Sequence, residues 1–556
     1  MINTIRHLLN SSDISRLIIC LFFFLYFIGL IILYKRFKDN SKMYKIWKLL
    51  CIVPLIVSII HFFIFSFGPA FIYFLLGYKY IYILSILILL LPLLLKKKII
   101  RIISIVVISI VSLVSFVIYI DGNKEVNFTN KSLRSSYIAL CDYFEKNYIM
   151  SKWKKIDYNK LKREGLELIN KAEVTGDITK YYDALDNFVD TFHDGHMGLN
   201  LYNGKEYLLD KIKSFNDYGL SLITLDDGST IAVDIEDNLE IRNGDIVTKW
   251  DGIDIKEAID KVNIPMSEGV LENERILKTF YLSGVGDNDV DVTFIDKDKK
   301  EKTITLQKLD SELPRALKSY STFNHTHDYE KFAYRMLNDN IGYLKIRIEE
   351  IDTLSDDIAY LTDNHKKARE MFRTYLKELK SKGMTKLVID IRNNGGGYDE
   401  VATALTSLFT KEKMYAFSLG IKKDNELISI QDKYVLGDGE FSDIEVVVLT
   451  NMRCASAGDG LLLYLSRLSN VTTVGLTNPA GINQETGGQI YMPKGAIISF
   501  PVGLILDQDG NPNIDVNDTR ISRNPVDIKI PLDKEAALKI FSGEDYELEW
   551  AINYFK

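Results

Sequence analysis

Long apolar runs fill the first 120 residues and then stop. Leu17 to Tyr34, Leu49 to Phe67 and Ile102 to Ile120 are each long enough to cross a bilayer core of roughly 30 Å. Ile81 to Leu95 is shorter but lengthens backward through "FIYFLLGYKY", so the pattern predicts four crossings. The first run is too long for a cleaved signal peptide, a second follows promptly, and no small-residue cleavage site stands behind it. Residues 130–200 place apolar groups at three- and four-residue spacing, as in "LRSSYIALCDYFEKNYI" and "YYDALDNFVDTFHDGHMGL", and predict helices. Between 215 and 310 the period shortens. "GLSLITL", "TIAVDI", "DIVTKW" and "VDVTFID" are divided by Gly, Asp and Asn turns, with one helical stretch, "IKEAIDKV", among them. From 340 strand and helix alternate. "IGYLKIRI", "KLVIDI" and "IEVVVLT" predict strands; "AREMFRTYLKELKSKG", "EVATALTSLF" and "GDGLLLYLSRL" predict helices. The alternation implies an α/β core on a parallel sheet, whose continuous apolar strands are buried on both faces. Four segments follow: a membrane part at 1–122, a helical region at 123–205, a β-rich module at 206–312 and an α/β core at 313–556.

Charge sharpens this division. Residues 1–120 hold thirteen Lys and Arg against Asp13 and Asp39, a net +11; the whole chain is −7, which leaves −18 for residues 121–556. An acidic remainder repels phosphate, so nucleic acid is not an expected partner. The loop Lys35–Lys48 carries six basic residues and one acid, and Lys96–Arg101 carries four basic residues. Both should face the cytoplasm, which puts everything after Ile120 outside. Cys20, Cys51, Cys141 and Cys454 form no CxxC or Cys/His cluster, so neither a zinc site nor a disulfide framework is indicated.

Three stretches could carry chemistry. In "VVVLTNMRCASAGDGLLLYLSRL" a β-branched run gives way to small residues and then to a helix, with Ser456 at the turn. There its Oγ meets free N–H groups and the helix dipole, as a nucleophile would need, or it simply caps the helix. In "LVIDIRNNGGGYDEVA" three glycines, Gly395 to Gly397, expose backbone N–H groups that could form an oxyanion hole or merely a structural loop. In "FHDGHMGL" His196 is flanked by glycines and could serve as a base or be a solvated loop histidine. His325 and His327 suggest a metal only weakly, because no third ligand has a convincing spacing.

In this order the stretches resemble the C-terminal processing, or tail-specific, serine peptidases and the related tricorn-type core. Asp390 to Gly397 resembles the family's "DLRNNGGG", Thr450 to Asp459 its "TNxxSASAGE", and Asp194-Gly195-His196-Met197 its "DGHT" turn. "IRNGDIVTKWDGIDIKEAI" resembles the PDZ domain of these enzymes, with Tyr218, Gly219 and Leu220 in its carboxylate-binding loop. The resemblance, over roughly residues 130 to 545, implies a ClpP/crotonase-like α/β core, a helical N-terminal region and a PDZ-like module; the apolar runs add an all-α membrane domain of about four helices. It makes Ser456 the nucleophile and places Gly396, Gly397 and Ala457 at the oxyanion. The lysine that many members carry about 25 residues after the serine is missing from Val474–Gly488, and Lys494 is a poor substitute. The chain is therefore closer to the branch in which a histidine, here His196, is the base. Asn524 stands where that branch's acid would be; Asp515, Asp518 and Glu485 are candidates to orient the histidine.

The expectation is a multi-pass cell-membrane protein with an extracytoplasmic serine endopeptidase part. It would need no cofactor and no metal, and would act on peptides or unfolded protein segments. The rivals on the same fold are a peptide-binding protein that has lost turnover and a membrane sensor.

Overall fold

The computed structural model describes residues 126–202, 204, 207, 215–264, 268–326, 330–352, 356, 365–423 and 426–556, together with 33, 36–37, 39–45 and 47. The four expected crossings lie outside the described residues apart from Leu33, and no helix among those described is long and apolar enough to cross a membrane. Two compact units are present. In the first, drawn from Met1–Asn130 and Thr486–Pro493, Val126 and Asn127 pair in parallel with Ile490 and Tyr491. The second, Lys131–Glu485 with Lys494–Lys556, holds every residue expected to do chemistry.

The second unit opens with three helices, α1 (Leu133–Asn147), α2 (Tyr158–Thr175) and α3 (Thr179–Asp190). Ser132 and Asp157 cap the first two by accepting from Ser135 N and Lys160 N, and Gly176 ends α2 in the left-handed conformation at φ 72°. Their apolar faces meet in an aromatic cluster: the rings of Phe144 and Phe188 lie 5.0 Å apart, and those of Tyr148 and Phe192 4.7 Å. Phe192 anchors one end of the histidine turn there. Strand β1 (Gly198–Leu201) anchors the other.

The β-rich module is an antiparallel sheet in the order β2 (Ser221–Thr224), β3 (Thr230–Val233), β4 (Ile246–Trp250), β5 (Asp289–Ile295) and β6 (Glu301–Gln307). The expected helix is α4 (Ile255–Asp260); α5 (Leu271–Leu282) lies where only strands were expected. A further helix, α6 (Arg315–Phe323), leaves the module and packs against both α5 and β2.

The core follows the strand–helix alternation. Strands β7 (Phe332–Met336) and β8 (Ile341–Ile346) precede α7 (Lys366–Ser381), β9 (Lys386–Asp390) and α8 (Asp399–Thr406). A hairpin, β10 (Lys413–Lys423) and β11 (Glu426–Leu436), comes next, then β12 (Glu445–Leu449), α9 (Ala457–Ser466) and β13 (Val471–Gly475). Strands β14 (Ala496–Leu506) and β15 (Ile528–Lys529) and helices α10 (Lys534–Phe541) and α11 (Tyr546–Tyr554) complete it. The sheet order is β15-β13-β12-β9-β8-β7, parallel except for the edge strand β7. Successive residues of β9 and β12 enter opposite cores. Leu387, Ile389, Val446 and Val448 join one cluster; Val388, Val447 and Leu449 join the other. Neighbouring parallel strands buried on both faces end at one edge of the sheet, which puts the glycine turn after β9 beside the serine turn after β12. A second, antiparallel sheet joins β10 to β11 and β14, and β14 to β1, so the histidine turn is hung on the core.

Arg392, just beyond β9, holds the rear of this arrangement. Its buried guanidinium pairs with Asp390 Oδ2 at 2.7 Å, Asp545 Oδ1 at 2.7 Å and Glu547 Oε2 at 3.1 Å, tying α11 to the root of the glycine turn. Replacing Arg392 with Ala strands the buried Asp390 and Glu547 carboxylates. It should lower unfolding stability by about 3–5 kcal/mol in denaturant titration. Burial pushes the carboxyls of Asp390 and Asp545 up, but Arg392 outweighs it and holds both below the usual range. Their contribution is therefore present above the unfolded carboxyl value, about pH 4, and disappears as pH falls through the lower folded values; the Ala variant should lack this loss on acidification.

Candidate active site

Ser456 sits between β12 and α9 with φ 58° and ψ −131°, a backbone conformation costly for a residue with a side chain. Its surroundings impose it. Ser456 N–H donates to Ile482 O at 2.8 Å and Ser456 O accepts from Gly460 N at 3.0 Å. Gly396, at φ 94°, lies against the serine so closely that a Cβ there would stand 2.5 Å from Ser456 Cβ and 3.0 Å from Ala457 N. Only glycine fits.

His196 reaches the same point from the helical region, and its Nε2 lies 3.3 Å from Ser456 Oγ. Its backbone N–H donates to Asp194 Oδ1 at 3.0 Å, while Asp194 Oδ2 accepts from Tyr148 OH at 2.6 Å. The buried Lys154 Nζ donates to His193 O at 3.0 Å. The turn is thus fixed from below by an acid, a tyrosine and a lysine. Burial holds the imidazole below its ordinary value of 6.5, against the opposing pull of Asp194. A neutral imidazole is what a base at pH 7 requires.

Among the described residues nothing hydrogen-bonds His196 Nδ1. None of the expected acids hydrogen-bonds that nitrogen. Asp515 is buried, accepts from Gln484 Nε2 and, at 3.3 Å, from Asn483 N, and is pushed up to about 8 by burial and then by Asp194. Asp518 pairs with Lys155 at 2.7 Å. Glu485 is pushed up to about 8 by burial and by Asp399 and Glu400. Asn524 Nδ2 donates to Asp459 Oδ1 at 2.7 Å. Asp459 is the acid closest in sequence to the serine. It accepts Gly481 N at 2.7 Å and Ile482 N at 3.3 Å, bracing the segment that receives Ser456 N–H, and burial pushes it up to about 7.

The glycine turn offers its donors unevenly. Gly396 N–H is occupied by Asn394 Oδ1 at 2.9 Å. Gly397 is held by backbone pairing around Glu349, whose N–H donates to Gly396 O at 3.0 Å and whose O accepts Tyr398 N at 2.9 Å. At the start of α9, Gly458 N–H is bonded to Ala455 O and Gly460 N–H to Ser456 O, which leaves Ala457 N–H as a helix-end donor beside Ser456. Glu349 itself is buried beneath the turn. Its Oε1 accepts Asn394 Nδ2 at 2.6 Å, and burial pushes it up to about 8.

The residues expected to receive a peptide in the β-rich module are covered. Tyr218, Gly219 and Leu220 are all buried. Tyr218 OH donates to Asp287 O at 2.6 Å and Gly219 N–H to Asp217 Oδ1 at 2.9 Å. Arg315 of α6 lies over the same loop, 2.9 Å from Asp234 Oδ1 and 3.8 Å from Asp217 Oδ1. The loop is packed against its own module: Gly219 O accepts from Glu236 N at 2.8 Å, and the Glu236 and Leu239 side chains lie against Gly219. Of the histidine pair, His327 lies outside the described residues, and His325 Nε2 stands 3.5 Å from Glu547 Oε2 at the Arg392 cluster.

No curated protein matches the chain. Among solved structures, mature CPAF complexed with lactacystin is similar in fold. It is 13% identical with a TM-score of 0.51, over 75% of this chain and 97% of that one. Mature CPAF alone matches at 14% identity and 0.51, over 75% and 96%. A photosystem II D1 C-terminal processing protease matches at 16% identity and 0.35, over 75% and 98%. Residues 340–521, which hold both the glycine turn and Ser456, match the family model Peptidase family S41. Residues 340–521 thus form a serine-type peptidase domain, of a family of hydrolases whose substrates are peptides or proteins.

Proposed function

We propose that this protein is a membrane-anchored, extracytoplasmic serine endopeptidase of the C-terminal processing type, with Ser456 as nucleophile and His196 as base. The observation that carries the reading is the 3.3 Å separation of His196 Nε2 and Ser456 Oγ at a helix N-terminus. Ser456 Oγ bonds to the scissile carbonyl carbon as its proton passes to His196 Nε2. The oxygen of the tetrahedral intermediate takes the negative charge, held by Ala457 N–H and Gly397 N–H. Collapse breaks the C–N bond, and His196 returns the proton to the departing amine. Water, deprotonated by the same imidazole, then releases the acid and restores the serine. Gly396 contributes its lack of a side chain, since its own N–H is occupied. The anchor rests on the four apolar runs and their basic loops before residue 121.

A second reading, a peptide-binding or sensor protein without turnover, is favoured by one observation: His196 Nδ1 has no acidic partner among the described residues. Labelling with a fluorophosphonate separates the two. The enzyme labels in the wild type and not in Ser456→Ala; a folded wild type that neither labels nor cleaves an unfolded chain would establish the binder.

Two further outcomes are expected. His196→Ala should lower acylation by about 10²–10⁴-fold. Because burial depresses the imidazole and the neutral form is active, the acid limb of kcat/KM should fall below pH 6.5; a limb at or above that value contradicts the assignment. In intact cells, an externally added protease should reach the part after residue 121 while leaving the Lys35–Lys48 loop protected.

A further inference from the structure

Beyond the ends of β9 and β12 the two strands no longer pair by backbone alone, yet the turns that follow them stay in register. Ile391 N–H still donates to Leu449 O at 2.9 Å, and Ala455 N–H donates to Asn394 O at 2.8 Å. Between these rungs the backbones part, and one side chain fills the gap. Asn451 Oδ1 accepts Asn393 N at 3.0 Å and Arg453 N at 3.1 Å, one amide from each turn. Its Nδ2 donates to Asn324 O at 3.3 Å. Asn393, at φ 59°, also sends its Nδ2 to Asn324 O. All three asparagines are buried. Asn324 is the residue after α6, the helix that packs against α5 and β2 of the β-rich module.

We propose that Asn451 is a positioning residue that sets the distance between the glycine turn and the nucleophile, with Asn324 O as the fixed point against which it is held. The inference rests on the peptidase reading above. Asn451 touches no reacting atom. It acts by binding both turns at once, so that Gly397 N–H and Ser456 Oγ face the same carbonyl. A side chain that accepts two amides and donates once is needed, and asparagine is the smallest that does so. Because the third bond goes to the end of α6, the β-rich module contributes to the peptidase site through its exit helix.

The test uses the full chain and a fluorophosphonate, resolving the maximal labelling rate from the concentration for half-maximal rate, with thermal melting alongside. Asn451→Ala should lower the maximal rate about a hundredfold, the scale of a misplacement near 1 Å, with the half-maximal concentration unchanged. Asn451→Asp keeps both acceptor bonds but loses the donor to Asn324 O, so it should recover only part of the rate and fall between Asn451→Ala and the wild type. It also serves as the folded control if the Ala variant does not fold. Labelling of folded Asn451→Ala at the wild-type rate overturns the proposal. So does equal impairment of the two variants, which would indicate a packing role. A wild type that never labels removes the peptidase reading and this inference with it, whereas wild type and Asn451→Ala labelling alike removes the inference alone.

Discussion

The close approach of Gly396 to Ser456 is the constraint on which the site depends. With 2.5 Å between a hypothetical Cβ and the serine's own, there is no room for any side chain at 396, and the serine beside it holds an unusual φ of 58°. A residue with a side chain persists in such a backbone conformation only where the surroundings over-determine it. Here parallel strands buried on both faces fix the roots of the two turns, Arg392 ties the rear to α11, and Asp459 braces the loop that receives the serine's N–H. The strain is distributed over elements that are themselves rigid.

The histidine is held by different means. Its turn lies between the aromatic cluster of the helical region and strand β1, and Asp194 accepts its main-chain N–H rather than its ring. Apolar burial keeps the imidazole neutral; backbone geometry, not an acid on Nδ1, keeps it in place. That differs from a triad in which a carboxylate sets the tautomer.

Much of the core was legible because its strands are apolar without interruption: "KLVIDI" and "EVVVL" could be read directly as buried on both faces. The small residues around Ser456 and Gly396 were equally visible, since close approach forbids anything larger. The β10–β11 hairpin was not. Strand β11 is largely exposed along its length, and its residues give no apolar run to detect. Helix α5 was hidden by its setting among short strands, although "LENERILKTFYL" has helical spacing. The burial of Tyr218, Gly219 and Leu220 depended on tertiary neighbours such as Leu239, Trp250 and Asp287, which spacing along the chain does not encode. Asn451 and Asp459 were visible as motif members, but their work lies in hydrogen bonds to segments far away in sequence.

The two side chains proposed to react, His196 and Ser456, are separated by 260 residues. A ribosome that has delivered the imidazole still has most of the domain to synthesise before the alcohol emerges, and the strands that juxtapose them pair across that whole span. A half-made chain holds only one member of the pair. On the proposed reading, cleaving power therefore arises only when synthesis and folding of the domain are nearly finished, and a growing polypeptide would not cut itself or its neighbours.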